Sequence, residues 1–530
     1  MLAGPLAQRR IWEDYYKPNR SSPITRLNVI YEWLRECANT HEDCPKWFQN
    51  EPSPLPSRVL RVELSENSEE PYDIRLEDGN GRRLPYITLS HCWGNTESMI
   101  KTTRANLEQH KTKIRYADLP LTFQDAVLMT AYMKVLYLWI DSLCIIQGDE
   151  EDWQREASCM ADIFANSLLN FAATAAPDAS VGCTFQYNGP LCVATSDQTA
   201  FVRFEDHMDL DGEKEPLNAR GWTFQEGLIA PRTVCFPQAQ MLWKCPTKRI
   251  SEDGLLDETV QATLGTDVVW NITTMLRSND KPLLYLQWYR MMEDYSRRAL
   301  SYDTDKLVAL AGITKVLQEH ITDTPLAGLW ANDLHHGLLW RVPDFAKKTD
   351  CPGLPSWSWA SRCGVVNWRP PYTEPKDSVT ANELEVVTTT ITWTGQHLAS
   401  PISKATLEVS GRLKEARIGK VAAGHNSRSL MQPGTESEVL GYCHLDDDLP
   451  LGATVWCLEV FSTARNADPK PPRSDDHKVL ILVEQSASPN TYQRVGVGIA
   501  WQISYLNDGT YSNPVRESFE RTAKTTIFLI

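Results

Sequence analysis

One almost unbroken apolar run, Tyr137-Leu-Trp-Ile-Asp-Ser-Leu-Cys-Ile-Ile-Gln147, constrains the fold of this chain most strongly. The run is too short to span a membrane and shows no polar–apolar alternation, so it predicts a buried strand of a parallel sheet with helices on both faces. Because ligands of open α/β sheets bind beyond the carboxyl ends of the strands, Asp141, Cys144 and Gln147 are candidate binding residues. Asp141 has a second interpretation, as a carboxylate that accepts backbone N–H bonds and fixes the turn after the strand.

A second strand is predicted at Tyr86-Ile-Thr-Leu-Ser-His-Cys-Trp-Gly94, which runs directly into a glycine. Ser90 and His91 would emerge at its end. A helix beginning near Thr122, marked by a capping-box pattern with Asp125, then leads to the Tyr137 run. The order strand, helix, strand predicts a right-handed parallel crossover between the two strands.

The remaining patterns divide the chain into four predicted regions. Residues 1–84 form a lead-in with a helix and a hairpin, and residues 85–250 form an α/β unit. Residues 251–362 show helical spacing, and residues 363–530 show the period of two that is typical of antiparallel strands. We therefore predict an α/β fold with a parallel sheet, then a helical segment and a mostly antiparallel β region.

Composition excludes several classes of function. The net charge is -15 and the pI is about 5.3, and no cluster of Lys and Arg is present, so we predict no nucleic-acid partner. No apolar stretch is long enough for a membrane span. The 13 cysteines are an odd number, and the chain starts without a signal-peptide core, so we expect reduced thiols, no structural disulfide and a cytoplasmic location.

One group of cysteines has spacing that suggests a metal site, namely Cys37-x3-His41-x2-Cys44. Structural zinc requires four ligands, and no partnered Cys or His pair stands nearby in the sequence. We therefore interpret the trio as structural thiols beside a surface histidine and predict no metal site.

Three blocks in order resemble the fungal heterokaryon-incompatibility (HET) domain: Leu89-Ser-His-Cys-Trp-Gly94, Tyr137–Gln147 and Arg220-Gly-Trp-Thr-Phe-Gln-Glu226. Trp153 to Met160 follows the second block and Trp243-x-Cys245 follows the third. Segments beyond the domain also resemble full-length HET proteins of filamentous fungi: Trp33-Leu-x-x-Cys37, Gly328-Leu-Trp330, Leu338-Leu-Trp340, Pro355-Ser-Trp-Ser-Trp359 and Arg494-Val-Gly496.

The resemblance implies a cytoplasmic protein of fungal non-self recognition and programmed cell death, with a domain similar in fold to TIR domains. Trp222-x-x-x-Glu226 resembles the Trp-Cys-x-x-Glu segment of TIR domains, in which the glutamate acts in cleavage of the NAD glycosidic bond. Thr223 stands where TIR sequences usually have cysteine. By this resemblance Glu226 is a candidate catalytic residue and NAD a possible substrate, although no cofactor is certain.

The same residues allow other interpretations. Arg220 can hold a pyrophosphate bidentately, with Trp93 and Trp222 completing a binding surface, or Arg220 and Glu226 can form a structural ion pair with Trp222 in the core. His91 paired with Asp141 would suit acid/base catalysis on a small molecule in fungal secondary metabolism. A third hypothesis is a non-catalytic module that binds copies of itself or an incompatibility partner protein.

Overall fold

The computed structural model divides into two compact units, Met1–Asn279 with Ala309–Lys315, and Asp280–Val308 with Val316–Ile530. It describes residues 23–46, 52–65, 70–94, 99–183, 191–194, 199–202, 215–238, 240–252, 254, 256–259, 271–343, 346–368, 378–421, 427–435, 438–465, 476–500, 504–505, 511–512 and 519–530.

The helices are numbered in chain order, leaving out short 3-10 turns: α1 Pro23–Thr40, α2 Leu107–Thr112, α3 Leu121–Tyr132, α4 Asp141–Cys144, α5 Glu150–Ala165, α6 Trp222–Ile229, α7 Ile272–Met275, α8 Lys281–Tyr295, α9 Asp305–Val308, α10 Ala311–Ile321 and α11 Leu334–Gly337. The strands of the first unit are β1 Arg58–Leu64, β2 Tyr72–Asp78, β3 Tyr86–Ser90, β4 Tyr137–Trp139, β5 Leu169–Ala172, β6 Leu191–Ala194, β7 Thr199–Val202, β8 Thr233–Cys235, β9 Leu242–Lys244, β10 Lys248–Ser251 and β11 Asp257–Thr259.

The strands of the second unit are β12 Pro325–Leu326, β13 Leu329–Trp330, β14 Trp340–Arg341, β15 Asn367–Trp368, β16 Ser378–Asn382, β17 Glu385–Trp393, β18 Ile402–Val421, β19 Arg428–Met431, β20 Val439–Leu445, β21 Thr454–Arg465, β22 Asp476–Glu484, β23 Thr491–Ala500, β24 Ser504–Tyr505, β25 Tyr511–Ser512 and β26 Lys524–Leu529. Among the described residues, no helix is long and apolar enough to cross a membrane.

The first unit is built on a nine-stranded sheet of order β11-β10-β9-β8-β5-β3-β4-β1-β2. Its centre is parallel, because β3 pairs in parallel with β4 and β5, and β5 pairs in parallel with β8. Antiparallel strands extend it on both sides. Counted along the chain, the four parallel strands have the spatial order 2-1-3-4, a doubly wound arrangement in which the ligand crevice lies between strands 1 and 3.

The strand predicted from Tyr137 to Ile146 is shorter than expected. Strand β4 covers only Tyr137–Trp139, and helix α4 begins at Asp141. The Asp141 carboxylate accepts the Ser142 backbone N–H at 2.6 Å, which favours a turn at this point. The apolar residues that follow are nonetheless buried, because a short helix in the core also places apolar side chains on all sides.

Three local features of the first unit are defined by their hydrogen bonds and strand pairing. The capping box predicted at the start of α3 is wrong, since Thr122 and Asp125 instead accept backbone N–H bonds from Gly182 and Cys183. Helix α5 starts with acidic residues, and Asp149 accepts the Asp152 N–H at 3.3 Å. The predicted hairpin of the lead-in is present as β1–β2.

The second unit contains the largely antiparallel sheet that was predicted. Six of its strands, β18, β19, β20, β23, β22 and β21, pair in sequence and close into a ring, because β18 is 20 residues long and pairs with both β19 and β21. A buried apolar cluster that includes Ile418, Leu430, Val455 and Ile481 forms its core. Strand β26 adds to this sheet through β18 and, in parallel, through β23.

Three of the sequence motifs in this unit meet around Arg494, which is fully buried. The Arg494 guanidinium lies 3.3 Å from the centre of the Trp340 ring and donates to Asp446 at 2.6 Å. Its backbone N–H donates to Ser356 Oγ at 2.9 Å, and the Trp340 indole N–H donates to the Trp357 carbonyl at 2.9 Å. These motifs therefore build the core of the second unit.

Candidate functional site

The candidate site lies at the carboxyl ends of the parallel strands, where the strand order reverses between β3 and β5. Ser90 ends β3 and is buried. Its hydroxyl contacts the side-chain amide of Asn170 on β5, with the Asn170 Nδ2 donating at 3.2 Å. The Asn170 Oδ1 also accepts from Thr88 at 3.0 Å. Ser90 therefore ties two parallel strands together beneath the site.

His91 and Asp141 face each other across this edge, as the sequence predicted. The distance from His91 Nε2 to Asp141 Oδ1 is 3.7 Å, which is too long for a hydrogen bond, and His91 Nε2 has no hydrogen-bond partner among the described residues. The Trp93 indole N–H donates to Asp141 Oδ2 at 2.8 Å, and the Gln147 amide donates to the Asp141 carbonyl at 3.4 Å. Both interpretations of Asp141 thus have a structural counterpart, because it fixes the turn and also faces His91.

The environment of His91 keeps its imidazole neutral at pH 7. Burial lowers the pKa of His91 to about 4, and the charge of Arg220 also lowers it, whereas Asp141 opposes the effect. The imidazole is 2% exposed and packs edge-on against Phe123, with ring centres 4.9 Å apart. The contact with Asp141 at neutral pH is therefore between a carboxylate and a neutral imidazole, in which Nε2 is free to accept or donate one bond.

This neutral histidine makes the protein sensitive to acid. The pKa of His91 is lower in the folded chain than the ordinary value of 6.5, so the unfolded chain takes up the proton first as the pH falls. We expect the free energy of unfolding to fall by up to about 3 kcal/mol as the pH decreases from 6.5 towards 4, because the folded chain keeps His91 neutral over this range. Urea unfolding at pH 7 and pH 4.5 should show a smaller loss for His91→Gln than for the wild type.

The exposed His397 provides the matched control for that measurement, since His397→Gln should keep the pH dependence of the wild type. Equal pH dependence in His91→Gln and the wild type would contradict the assignment of acid sensitivity to His91.

Arg220 and Glu226 both change the pKa of the Cys92 thiol, in the residue after His91. The Arg220 guanidinium donates to the His91 carbonyl, and Glu226 is 6% exposed on α6. Burial raises the pKa of Cys92, Glu226 and Asp178 raise it further by their negative charge, and Arg220 lowers it. The third motif block, Arg220–Glu226, therefore lies at the end of β3. This proximity could not be predicted from the sequence, in which the block follows His91 by more than 120 residues.

Trp222 and Cys144 have different surroundings from the residues around His91. Trp222 begins α6, is partly exposed and packs edge-on against Trp153, with ring centres 6.5 Å apart. Cys144 is fully buried, and burial raises the pKa of its thiol to about 12. Its carbonyl accepts from Arg58 at 2.7 Å. The Cys144 thiol is therefore a core group.

Two residues at this edge of the sheet, Asn170 and Asp178, were not predicted from the sequence as part of the site. Asn170 is a polar residue within the apolar run Leu168–Ala173 of the sequence, which is a usable signal. Asp178 gave no such signal. It packs so close to Gly94 that a Cβ added to Gly94 would lie 2.2 Å from the Asp178 Cβ. Gly94 has φ of +62°, so glycine suits this position both by conformation and by the close approach of Asp178. The loops after β3 and β5 are thereby held together.

A second group of reactive side chains lies in the same unit, and it corrects the interpretation of the Cys37 segment. Cys37, His41 and Cys44 are joined by Cys245, and their sulfur and nitrogen atoms all lie within 4.8 Å of one another. His41 is only 8% exposed, so its assignment as a surface histidine is wrong. Spacing in the sequence gave no indication of the fourth residue, because Cys245 lies about two hundred residues after the trio.

Comparison with known families matches residues 86–226 to the family described as heterokaryon incompatibility protein (HET), which confirms the resemblance predicted from the three motif blocks. A search of curated proteins and a search of solved structures each found no match. The matched residues begin at β3 and end at Glu226, so they include His91, Asp141 and Arg220. The chain therefore carries a HET domain over residues 86–226, which implies a role in fungal heterokaryon incompatibility.

Proposed function

We propose that the HET domain of this chain cleaves the glycosidic bond of NAD, as an effector of programmed cell death in fungal non-self recognition. The observation that carries the proposal is that the Arg220–Glu226 segment brings a guanidinium and a buried carboxylate to the carboxyl end of β3. The Arg220 guanidinium donates to the His91 carbonyl, and Glu226, which is 6% exposed, raises the pKa of the neighbouring Cys92 thiol by its charge. A carboxylate and a guanidinium are the groups that a ribosyl bond and a pyrophosphate require.

In this proposal each residue has one role. Glu226 stabilises the oxocarbenium-like character that develops at the ribose when the bond to nicotinamide breaks, and water completes the hydrolysis. Arg220 orients the pyrophosphate, and Trp222, which is partly exposed, offers a ring face to a base. The neutral imidazole of His91 can accept one hydrogen bond from a ribose hydroxyl.

The likeness to TIR domains is part of the same proposal. Two features support it. The four parallel strands follow a doubly wound order, and the Trp222-x-x-x-Glu226 segment begins a helix beside the crevice at the strand ends.

The test is incubation of the purified full-length chain with NAD, followed by mass spectrometry of the products. Nicotinamide and ADP-ribose appearing in equal amounts would support the proposal. Intact NAD after prolonged incubation, at concentrations at which the protein self-associates in size-exclusion chromatography, would favour a non-catalytic oligomerising module and overturn the enzymatic proposal.

A second candidate function is a small-molecule transformation in fungal secondary metabolism, with His91 and Asp141 as the acid/base pair. The Nε2 atom of His91 favours it, because this atom lies 3.7 Å from a carboxylate oxygen and has no hydrogen-bond partner in the described part of the chain. The candidates differ in their dependence on Glu226, because the acid/base reaction would persist in a Glu226→Gln variant and would be lost in a His91→Gln variant.

A further inference from the structure

The first unit contains a cluster of four potential metal ligands that plays no part in the proposed reaction. Cys37 lies in the last turn of α1, His41 directly follows that helix, and Cys44 follows three residues later. This segment is folded into consecutive turns by two backbone hydrogen bonds. The His41 N–H donates to the Cys37 carbonyl, and the Cys44 N–H donates to the His41 carbonyl. All three side chains therefore converge on the same small volume.

The fourth member, Cys245, comes from the turn between β9 and β10. Cys245 and Lys248 exchange backbone bonds of 3.0 and 3.3 Å, which fixes this tight turn at the end of the hairpin. Cys37 and Cys245 are fully buried, and Cys44 is 2% exposed. Two segments that are distant in sequence thus contribute ligands to one enclosed position.

The distances match the edges of a tetrahedral zinc site. His41 Nδ1 lies 3.4 Å from the Cys245 sulfur and 3.9 Å from the Cys44 sulfur. With zinc–sulfur bonds of about 2.3 Å and zinc–nitrogen bonds of about 2.0 Å, neighbouring ligand atoms are separated by roughly 3.5–3.8 Å. The two measured separations lie close to this range, so the four atoms can surround one zinc ion.

The surroundings of the cluster suit charged ligands. The Arg232 guanidinium, 1% exposed, donates to the Cys37 sulfur at 3.2 Å, which stabilises a thiolate. The other ring nitrogen of His41, Nε2, lies 4.0 Å from a Glu36 carboxylate oxygen. This separation exceeds a hydrogen bond, so Glu36 contributes its charge near the imidazole rather than a bond that orients the ring. Three thiolates with one divalent cation leave a charge of -1, which Arg232 offsets.

We propose that Cys37, His41, Cys44 and Cys245 bind one structural Zn²⁺ ion. The set is closed, with four protein ligands, and thiolate with imidazole selects zinc over the hard cations. Binding joins the end of α1 to the β9–β10 hairpin and so stabilises the first unit. The proposal is independent of any activity of the HET domain.

The test is the zinc content of the purified full-length chain, measured by inductively coupled plasma mass spectrometry after desalting into metal-free buffer. We expect about one zinc per chain in the wild type and at least about tenfold less in Cys245→Ser. The control is Cys159→Ser, which removes a free thiol on α5 outside the cluster and should keep its zinc. A wild type without zinc, even after expression in zinc-supplemented medium, would overturn the proposal.

A second variant covers the case in which Cys245→Ser fails to fold. His41→Cys converts the set to four cysteines, which also bind zinc tetrahedrally, so it should retain about one zinc per chain. Stripping the folded wild type with a chelator should lower its melting temperature, and adding zinc back should restore it. If chelation leaves the melting temperature unchanged, or if the cluster thiols are recovered as a disulfide, the zinc proposal is wrong.

Discussion

The Glu226→Gln variant is expected to keep its fold and to lose NAD cleavage by about two or more orders of magnitude. The amide has the same shape as the carboxylate and can still form hydrogen bonds, but it carries no negative charge to stabilise a developing oxocarbenium ion. Glu226 is 6% exposed, so water screens its charge poorly and the electrostatic contribution to the transition state is correspondingly large. Cell death on overexpression should disappear with the activity.

The matched control is Glu151→Gln, which makes the same chemical change at an exposed position of α5 and should leave turnover unchanged. If Glu226 instead has a structural role, the variant should lose about 1–3 kcal/mol of stability, and its activity should fall only in proportion to the folded fraction. Melting temperature and NAD turnover must therefore be measured on the same preparation. Full activity in a stably folded Glu226→Gln protein would end the catalytic proposal.

The largest loss of stability is expected from Arg494→Met in the second unit. Arg494 and Asp446 are fully buried partners, so removing Arg494 takes away the hydrogen-bonded cation that offsets the Asp446 charge in the core. Such changes cost about 3–5 kcal/mol. The variant also removes the guanidinium from the Trp340 ring and the bond to the Trp340 carbonyl. Urea unfolding followed by tryptophan fluorescence should show the second unit unfolding at a lower urea concentration.

Arg428→Met is the control for this variant, because Asp448 is exposed and its ion pair with the partly exposed Arg428 should contribute only about 0–1 kcal/mol. Replacing both charges, as Arg494→Met with Asp446→Leu, should recover part of the loss. Burial raises the pKa of Asp446 and lowers the pKa of Arg494 to about 10, so desolvation opposes both charges of the native pair. A loss below about 1 kcal/mol in Arg494→Met would contradict the expected effect.

Local patterns predicted much of the α/β region. Strand β3 lies within the Tyr86–Gly94 segment that was expected to be a strand, and β4 begins at Tyr137 as its apolar run predicted. The extent of β4 was not predictable in the same way. A run of apolar residues is compatible with either a strand or a buried helical turn, and only the hydrogen bonds made by Asp141 distinguish the two.

The parts of the site that depend on distant residues could not be predicted from spacing. His91 and Asp141 were paired because both follow strands that were expected to be neighbours. Cys245 gave no such signal, since the hairpin that carries it reaches α1 only through the antiparallel extension of the sheet. The motifs around Arg494 were likewise recognised as segments without any indication that they meet in one core.

The division of the chain into two units has a consequence for the order in which the protein can fold during synthesis. The chain leaves the first unit after Asn279 and returns to it at Ala309–Lys315. Within that returning segment, the Gly312 N–H donates to the buried Gln225 side chain at 2.8 Å. A Cβ at Gly312 would lie 2.0 Å from that of Ala161, so this contact is close. The ribosome must therefore release residue 315 before the HET-containing unit can complete its packing. A chain truncated after residue 279 would leave Gln225 without this partner.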